Sequence, residues 1–230
     1  MKSLAFGLCA LLLAGGSAIA DPSATKLFFD TPYLSNVAPG TRIDYAYHHK
    51  TDEAKLGESF DETLAMNVTA EPSDPARRVA EVDITRGERH AEAGPFPTLN
   101  GNPVSLILLE RDVKEMAQLS KGSPFYLRNR VRDHIATGKV EPARIDFDGR
   151  AVEGWKLTMT PFADDPNKDK LLELAGRRYE FLFSEAIPGG LYSITVVTPK
   201  ADGSGNLIET SLTLTGTGPA ATAAKEGAPK

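Results

Sequence analysis

The sequence predicts an α+β protein in which a curved antiparallel sheet, an incomplete β-barrel of about eight or nine strands, wraps around a helical hairpin. Three observations support this fold class. Apolar and polar residues alternate along most of the chain, as they do in strands that bury only one face. Glycine- and proline-containing turns separate these runs at short intervals, which favours antiparallel neighbours. One internal segment, residues 103–137, has helical spacing instead.

The composition is that of a globular protein, and it disfavours several functional classes. The 230 residues include 31 acidic and 26 basic side chains, and 41% are hydrophobic. A net charge of −5 disfavours nucleic acid as a partner, because nucleic-acid-binding proteins usually carry a basic surface. One cysteine and four scattered histidines form no metal-ligand pattern, so we predict neither a metal site nor a cofactor.

The first twenty residues have the pattern of a cleavable signal peptide. Lys2 precedes an apolar run from Leu4 to Leu13, and Ala18 and Ala20 are small residues at the spacing a signal peptidase requires. The apolar run is too short for a membrane span, which needs about 20 residues. We therefore expect cleavage after Ala20, a periplasmic location, and no transmembrane segment in the mature chain.

The mature chain begins with an arm and continues into a strand meander. Residues 21–40 contain three prolines and no clean period, so we expect a loosely tied N-terminal arm. A single antiparallel β domain is predicted over residues 41–215. Its first three strands carry the alternating apolar side chains Ile43, Tyr45 and Tyr47, then Leu64, Met66 and Val68, then Ala80, Val82 and Ile84.

A helical hairpin is predicted as an insertion over residues 103–137. Asn102 and Pro103 form a favoured helix start, because asparagine caps a helix and proline suits its first position. Gly122 can end this helix, and Ser123-Pro124 begins a second one. The second helix carries an apolar stripe with a spacing of four residues and ends at Gly138.

Strands resume after the hairpin. Tight turns are predicted at Asp148-Gly149, at residues 188–190 and at residues 202–205. The strands between them carry the alternating apolar residues Trp155, Leu157 and Met159, then Tyr179, Phe181 and Phe183, then Tyr192, Ile194 and Val196, then Ile208, Leu212 and Leu214. Residues 216–230 have little to bury, and we expect a disordered tail there.

The most informative candidate site is the first turn of the first helix. Five of the six residues from Val104 to Leu109 are apolar, so this turn is apolar on every side. Our hypothesis is that it lines a hydrophobic cavity with a β wall opposite; burial inside the sheet is the alternative. The proposed ligand-binding residues are Leu106, Ile107 and Leu108 on the helix, and Trp155, Phe181 and Phe183 on the wall.

Two arginines on the second helix are candidates for a polar contact with the ligand. Arg128 and Arg132 lie one turn apart and flank the apolar stripe. Such a pair can bind a phosphate or a carboxylate. The alternative is a solvated helix face with an ion pair to Asp133 or Glu110.

No catalytic motif is present in residues 21–230. The sequence lacks a nucleophile elbow, a zinc-protease helix motif, a phosphate-binding glycine loop and a dinucleotide-binding fingerprint. We therefore assign no catalytic residue and expect a non-enzymatic protein. A hydrolase would need a site assembled from residues distant in sequence.

The order of the elements resembles that of the LolA-like proteins, which are periplasmic lipoprotein carriers and their relatives. The resemblance extends over roughly Ile43 to Leu214. It is carried by the meander, the proline-opened helices, the strand Trp155–Pro161 and the late hairpin Asp202–Thr210. It implies an incomplete antiparallel barrel that holds helices, with an apolar cavity for acyl chains. No functional residue transfers one for one.

Three functions remain open at the level of sequence. The first is a periplasmic protein whose apolar cavity binds a lipid, an acylated protein or another amphipathic ligand. The second is an envelope scaffold whose sheet is filled by its own helices and whose partner is another envelope protein. The third, with the poorest support, is a hydrolase.

Overall fold

Nine strands form one open, incomplete barrel-like antiparallel sheet, and helices cover one of its faces. The computed structural model describes residues 21–35 and 37–220. The α+β class and the strand number predicted from the sequence are confirmed. The predicted signal peptide and most of the predicted tail lie outside the described residues.

The strands and helices have the following bounds. The strands are β1 Thr41–Thr51, β2 Phe60–Glu71, β3 Asp74–Arg86, β4 Arg89–Pro97, β5 Lys139–Phe147, β6 Arg150–Met159, β7 Arg178–Phe183, β8 Leu191–Pro199 and β9 Asn206–Pro219. The α-helices are α1 Pro103–Ser120, α2 Pro124–Ala136 and the short α3 Lys168–Leu171; a π-helical turn lies at Lys26–Asp30, and 3-10 turns lie at Ala54–Leu56 and Leu172–Gly176.

The strand order places the helices over the sheet. It runs β4-β3-β2-β1-β9-β8-β7-β6-β5, so two sequential meanders are joined where the first and last strands pair. β4 and β5 therefore lie at opposite edges. The segment between them, which contains α1 and α2, has to run from one edge to the other. A one-sided sheet needs a cover on its apolar face, and this crossing supplies it.

The apolar face is continuous across the strand register. Tyr45 of β1 lies opposite Leu64 of β2 on one side and opposite Leu214 of β9 on the other. Ile194 of β8 lies opposite both Leu212 of β9 and Phe181 of β7. All six side chains are buried. Alternation with a period of two thus places these apolar side chains of five neighbouring strands on one buried face of the sheet.

Both main helices begin at the predicted caps. The Asn102 side chain accepts a hydrogen bond of 2.9 Å from the Val104 N–H. The Ser123 hydroxyl accepts one of 3.4 Å from the Tyr126 N–H. Such bonds satisfy amide groups that the first turn of a helix leaves without partners.

The N-terminal arm is packed into the interior, which corrects the expectation of a loosely tied segment. The Phe28 ring lies 5.2 Å from the Phe181 ring and perpendicular to it. The Tyr33 ring stacks on Phe183 at 5.7 Å. A Cβ added at Gly190 would lie 2.0 Å from the Tyr33 ring, so the chain needs glycine at this close approach. The arm lacks a period because it fills space between elements and belongs to neither a helix nor a strand over most of its length.

The last strand extends further than predicted. β9 reaches Pro219, and residues 216–219 pair with the start of β1 from Thr41 to Asp44. We expected a tail from residue 216 because Gly216 and the residues after it have little apolar surface. Backbone pairing with an available neighbouring strand requires no apolar side chain.

The packing of the arm yields a stability prediction. Phe28→Ala removes a side chain that is 2% exposed and contacts two aromatic rings of β7. We expect the free energy of unfolding to fall by about 3–5 kcal/mol in urea denaturation. The matched control is Phe125→Ala, which removes the same atoms from a residue that is 70% exposed and should change stability by no more than about 0.5 kcal/mol. Equal effects of the two substitutions would contradict the packed arm.

Candidate functional site

An apolar groove lies between α1 and α2 and has a volume of about 300 Å³. Six of its nine lining residues are apolar and three are charged. The apolar residues are Phe29, Leu106, Leu109, Val113, Val131 and Ile135; the charged ones are Glu110, Arg128 and Arg132. The groove therefore combines an apolar floor with a polar rim, the combination expected of a site for an amphipathic ligand.

Helix periodicity builds the groove from two facing stripes. On α1 the lining residues recur at intervals of three or four, from Leu106 to Val113. On α2 they recur in the same way from Arg128 to Ile135. Phe29, from the N-terminal arm, also lines the groove. Its neighbour Phe28 turns into the core, so one short arm segment serves both the interior and the groove.

The charged rim holds one tight pair and one less engaged cation. Arg128 donates two hydrogen bonds, of 2.8 and 2.9 Å, to the Glu110 carboxylate. These bonds keep the pKa of Glu110 below its usual value. The Arg132 side chain is 66% exposed, and its contact with Asp133 is long at 3.4 Å. Arg132 is therefore the rim arginine with more freedom to bind an anionic group.

The structure places three of the eight residues proposed as ligand contacts in the groove and the other five in or against the core. Leu106, Arg128 and Arg132 line the groove together. The other five lie in the core or against it: Leu108, Phe181 and Phe183 are buried, and Ile107 and Trp155 are partly buried. Phe181 and Phe183 of the proposed β wall thus face the interior, where Phe28 and Tyr33 pack against them.

Sequence reasoning did not identify Glu110 or five apolar lining residues as ligand contacts. Val131 and Ile135 were recognised as an apolar stripe, but they had been assigned no contact with a ligand. Leu109 and Val113 belonged to the α1 pattern. Phe29 gave the faintest signal, since it stands in the arm, where only the apolar run from Leu27 marks a buried segment.

Three larger depressions fit an apolar ligand less well; the smallest of them, of about 370 Å³, includes Thr31, Ser35, Thr41 and Glu185 in its lining. One of about 430 Å³ is lined largely by threonines and charged side chains, including Thr158, Thr195 and Arg178. Another of about 440 Å³ includes Arg77 and several prolines. Polar hydroxyl and guanidinium groups retain water, so these surfaces suit acyl chains less well than the smaller groove does.

A buried ionic cluster fixes α1 on the sheet. Arg177, which is fully buried, forms ion pairs with Asp112 and Glu115 of α1 and donates a hydrogen bond of 3.1 Å to Thr198 of β8. The Tyr179 hydroxyl donates a bond of 2.5 Å to Asp112. Burial disfavours the guanidinium charge, but the surrounding acidic groups outweigh this effect and raise the pKa of Arg177.

His49 extends this cluster on the other side of Glu115. Its Nε2 lies 3.1 Å from the Glu115 carboxylate, and its Nδ1 lies 2.9 Å from the Thr210 hydroxyl. His48 points to the opposite face, as adjacent strand residues must, and contacts Asp61. The cavity beside His49 has about 110 Å³, well below the range of about 300–1,000 Å³ typical of small-molecule sites. The cavity beside His49 is thus smaller than a typical small-molecule site.

Within residues 21–35 and 37–220, no group of three or more histidine, cysteine, aspartate or glutamate side chains is arranged to hold a metal ion. None of the helices in this part of the chain has the length and apolar character needed to cross a bilayer.

Comparison with known proteins gives only a loose structural likeness. No family model matches the chain, and no curated protein matches it. Among solved structures, the Mycobacterium tuberculosis lipoprotein LppX is similar at a TM-score of 0.31 and 12% sequence identity. The alignment covers 76% of this chain and 84% of the LppX chain.

The ionic cluster yields a second stability prediction. Asp112→Ala leaves the buried Arg177 without its main partner, so we expect a loss of roughly 3–5 kcal/mol in the free energy of unfolding. Glu110→Ala also breaks an arginine pair on α1, but this pair is exposed to solvent, and its loss should change stability by less than about 1 kcal/mol. Urea denaturation of both variants measures the difference. A small effect of Asp112→Ala would contradict the role of the ionic cluster in fixing α1 on the sheet.

Proposed function

We propose that this chain is a non-enzymatic periplasmic protein whose groove between α1 and α2 binds one acyl chain of a lipid, an acylated protein or another amphipathic ligand. The observation that carries the proposal is the juxtaposition of an apolar floor with Arg132 at the rim. The volume of about 300 Å³ is at the lower end of ligand-site sizes, which favours a single chain.

The binding free energies expected of the apolar floor and of the charged rim indicate why a ligand needs both. Burial of each methylene contributes about 0.8 kcal/mol, so ten methylenes contribute roughly 8 kcal/mol. Association itself costs about 4 kcal/mol or more. An acyl chain alone therefore binds weakly, and a charge-assisted hydrogen bond from an arginine, worth about 1.5–3 kcal/mol, raises the affinity substantially.

The rim favours ligands with an anionic head. Arg132 is exposed and only loosely held by Asp133. Arg128 is already bound to Glu110, so an incoming anion has to compete with that carboxylate for it. We therefore assign the first headgroup contact to Arg132, and we assign Arg128 a contact only when the ligand displaces Glu110.

Location and architecture support the same proposal. The sequence of residues 1–20 has the pattern of an export signal. An open antiparallel sheet with helices over one face is the architecture that the LolA-like resemblance implies. Here, however, the proposed ligand site lies on the outer side of the helical hairpin, because the N-terminal arm occupies part of the sheet's interior.

A substitution at the groove rim tests acyl binding. Leu106→Asp places a carboxylate in the apolar lining at a position that is 48% exposed, so the fold should persist. We expect at least about tenfold weaker binding of a fluorescent fatty-acid probe. Leu99→Asp, at a residue that is 67% exposed and does not line the groove, is the control. The absence of saturable probe binding by the unmodified protein would refute the proposal.

A second test separates the headgroup from the chain. Arg132→Gln should weaken binding of palmitate about tenfold, because a charge-assisted hydrogen bond is lost, but should leave binding of its methyl ester unchanged. Arg144→Gln removes another exposed arginine, on β5 and away from the groove, and should affect neither ligand. Probe-displacement titrations measure all four affinities. Equal loss for the acid and the ester would remove Arg132 from the headgroup site.

One observation favours the scaffold as a second candidate. The arm packs Phe28 and Tyr33 against Phe181 and Phe183, so the interior is filled at that point by the chain itself. The edge strand β4 is exposed along most of its length and has unpaired backbone groups for another envelope protein. Photo-cross-linking from His90 in cells should then recover one consistent partner.

A further inference from the structure

We infer that the outer surface of the helical hairpin docks on an anionic lipid bilayer, so that the groove opens toward the membrane from which it takes its ligand. The inference rests on the proposed function and adds the source of the ligand. We call this surface the hairpin face. It consists of Leu106, Glu110 and Lys114 on α1 and Phe125, Arg128 and Arg132 on α2.

Helical spacing and one ion pair place these six residues on one surface. The three on α1 are separated by four residues each, and those on α2 by three and four, so each set lies along one side of its helix. The two hydrogen bonds from Arg128 to Glu110 join the two rows. Leu106, Glu110, Arg128 and Arg132 also line the groove, so the hairpin face borders it.

The apolar members of the face are unusually exposed. Phe125 is 70% exposed and Leu106 is 48% exposed, and they are two of the four large hydrophobic residues that are exposed in the described part of the chain. Aromatic and leucine side chains next to cations are typical of helices that lie in the interface of a membrane. An exposed phenylalanine of this kind has an apolar partner available when the face meets a bilayer.

The charge of the face is opposite to that of the protein. The whole chain carries a net charge of −5, whereas the hairpin face has Lys114, Arg128 and Arg132 against the single carboxylate of Glu110. Asp133 lies beside Arg132, and the exposed Lys121 at the turn of the hairpin offsets it. Basic residues near a membrane surface are attracted by anionic lipids, while the acidic remainder of the protein is repelled. The charge distribution thus favours an anionic bilayer over a neutral one, and it favours binding with the hairpin face toward the membrane.

Vesicle cosedimentation tests the inference with the exported protein. Vesicles of phosphatidylcholine with phosphatidylglycerol should bind it at least about tenfold more tightly than vesicles of phosphatidylcholine alone, and added salt should weaken the binding. Phe125→Ser and Lys114→Gln should each reduce vesicle binding at least about threefold. Both residues lie outside the groove lining, so fatty-acid binding in solution should be unchanged. Leu99→Ser, which removes an exposed leucine elsewhere, should change neither measurement.

The outcomes separate docking from ligand binding. Fatty-acid binding without any attachment to anionic vesicles overturns the docking inference and leaves the proposed function intact. Vesicle binding that Phe125→Ser and Lys114→Gln do not alter places the contact elsewhere and also overturns it. Self-association that Phe125→Ser abolishes, in a protein that does not bind vesicles, assigns the face to a second copy of the chain instead.

Discussion

The buried guanidinium of Arg177 is the interaction on which the arrangement of the helices depends. It bonds two carboxylates of α1 and one hydroxyl of β8, and its charge has no access to water. A buried charge without partners is strongly destabilising, so α1 has to present Asp112 and Glu115 to the sheet. That requirement fixes the rotation of α1. Leu106 and Glu110 are then turned away from the cluster and toward α2, which is where the groove forms.

The N-terminal arm decides which apolar surface is left for a ligand. An open antiparallel sheet with one apolar face could hold a ligand directly against that face. Here Phe28 and Tyr33 lie on the aromatic side chains of β7, and this part of the interior is self-filled. Phe29 of the same segment contributes to the groove instead. The arm thus connects the carrier and scaffold hypotheses, because displacing it would expose Phe181 and Phe183.

Much of the fold could be predicted from local patterns, and the parts that could not be predicted depend on contacts distant in sequence. Alternation with a period of two predicted the strands, and Asn102 and Ser123 predicted the starts of the helices. Both signals are local, because each depends only on residues that are close together in sequence. The pairing of β1 with β9 has no local signal. Arg177 illustrates the same limit: its partner Asp112 is 65 positions away, and a charged residue beside another arginine gives no indication of complete burial. The apolar turn from Val104 to Leu109 also has a local signal, but the direction of each of its side chains depends on the ionic cluster.

The geometry of α1 explains why Leu106 is exposed although Leu108 and Leu109 of the same turn are buried. The helix meets the sheet on one side, where Val104 and Leu108 are buried, and the stripe of α2 on another, where Leu109 is buried. Leu106 also faces α2 but remains 48% exposed at the groove, next to Glu110 one turn further along. Because the bonds from Arg128 favour the ionised form of Glu110, this pair persists in mildly acidic as well as neutral solution and holds the two helices together across the groove. In the proposed function, an anionic ligand would therefore meet Arg132 before it could compete for Arg128, and the position of α1 over the sheet would set this order of contacts.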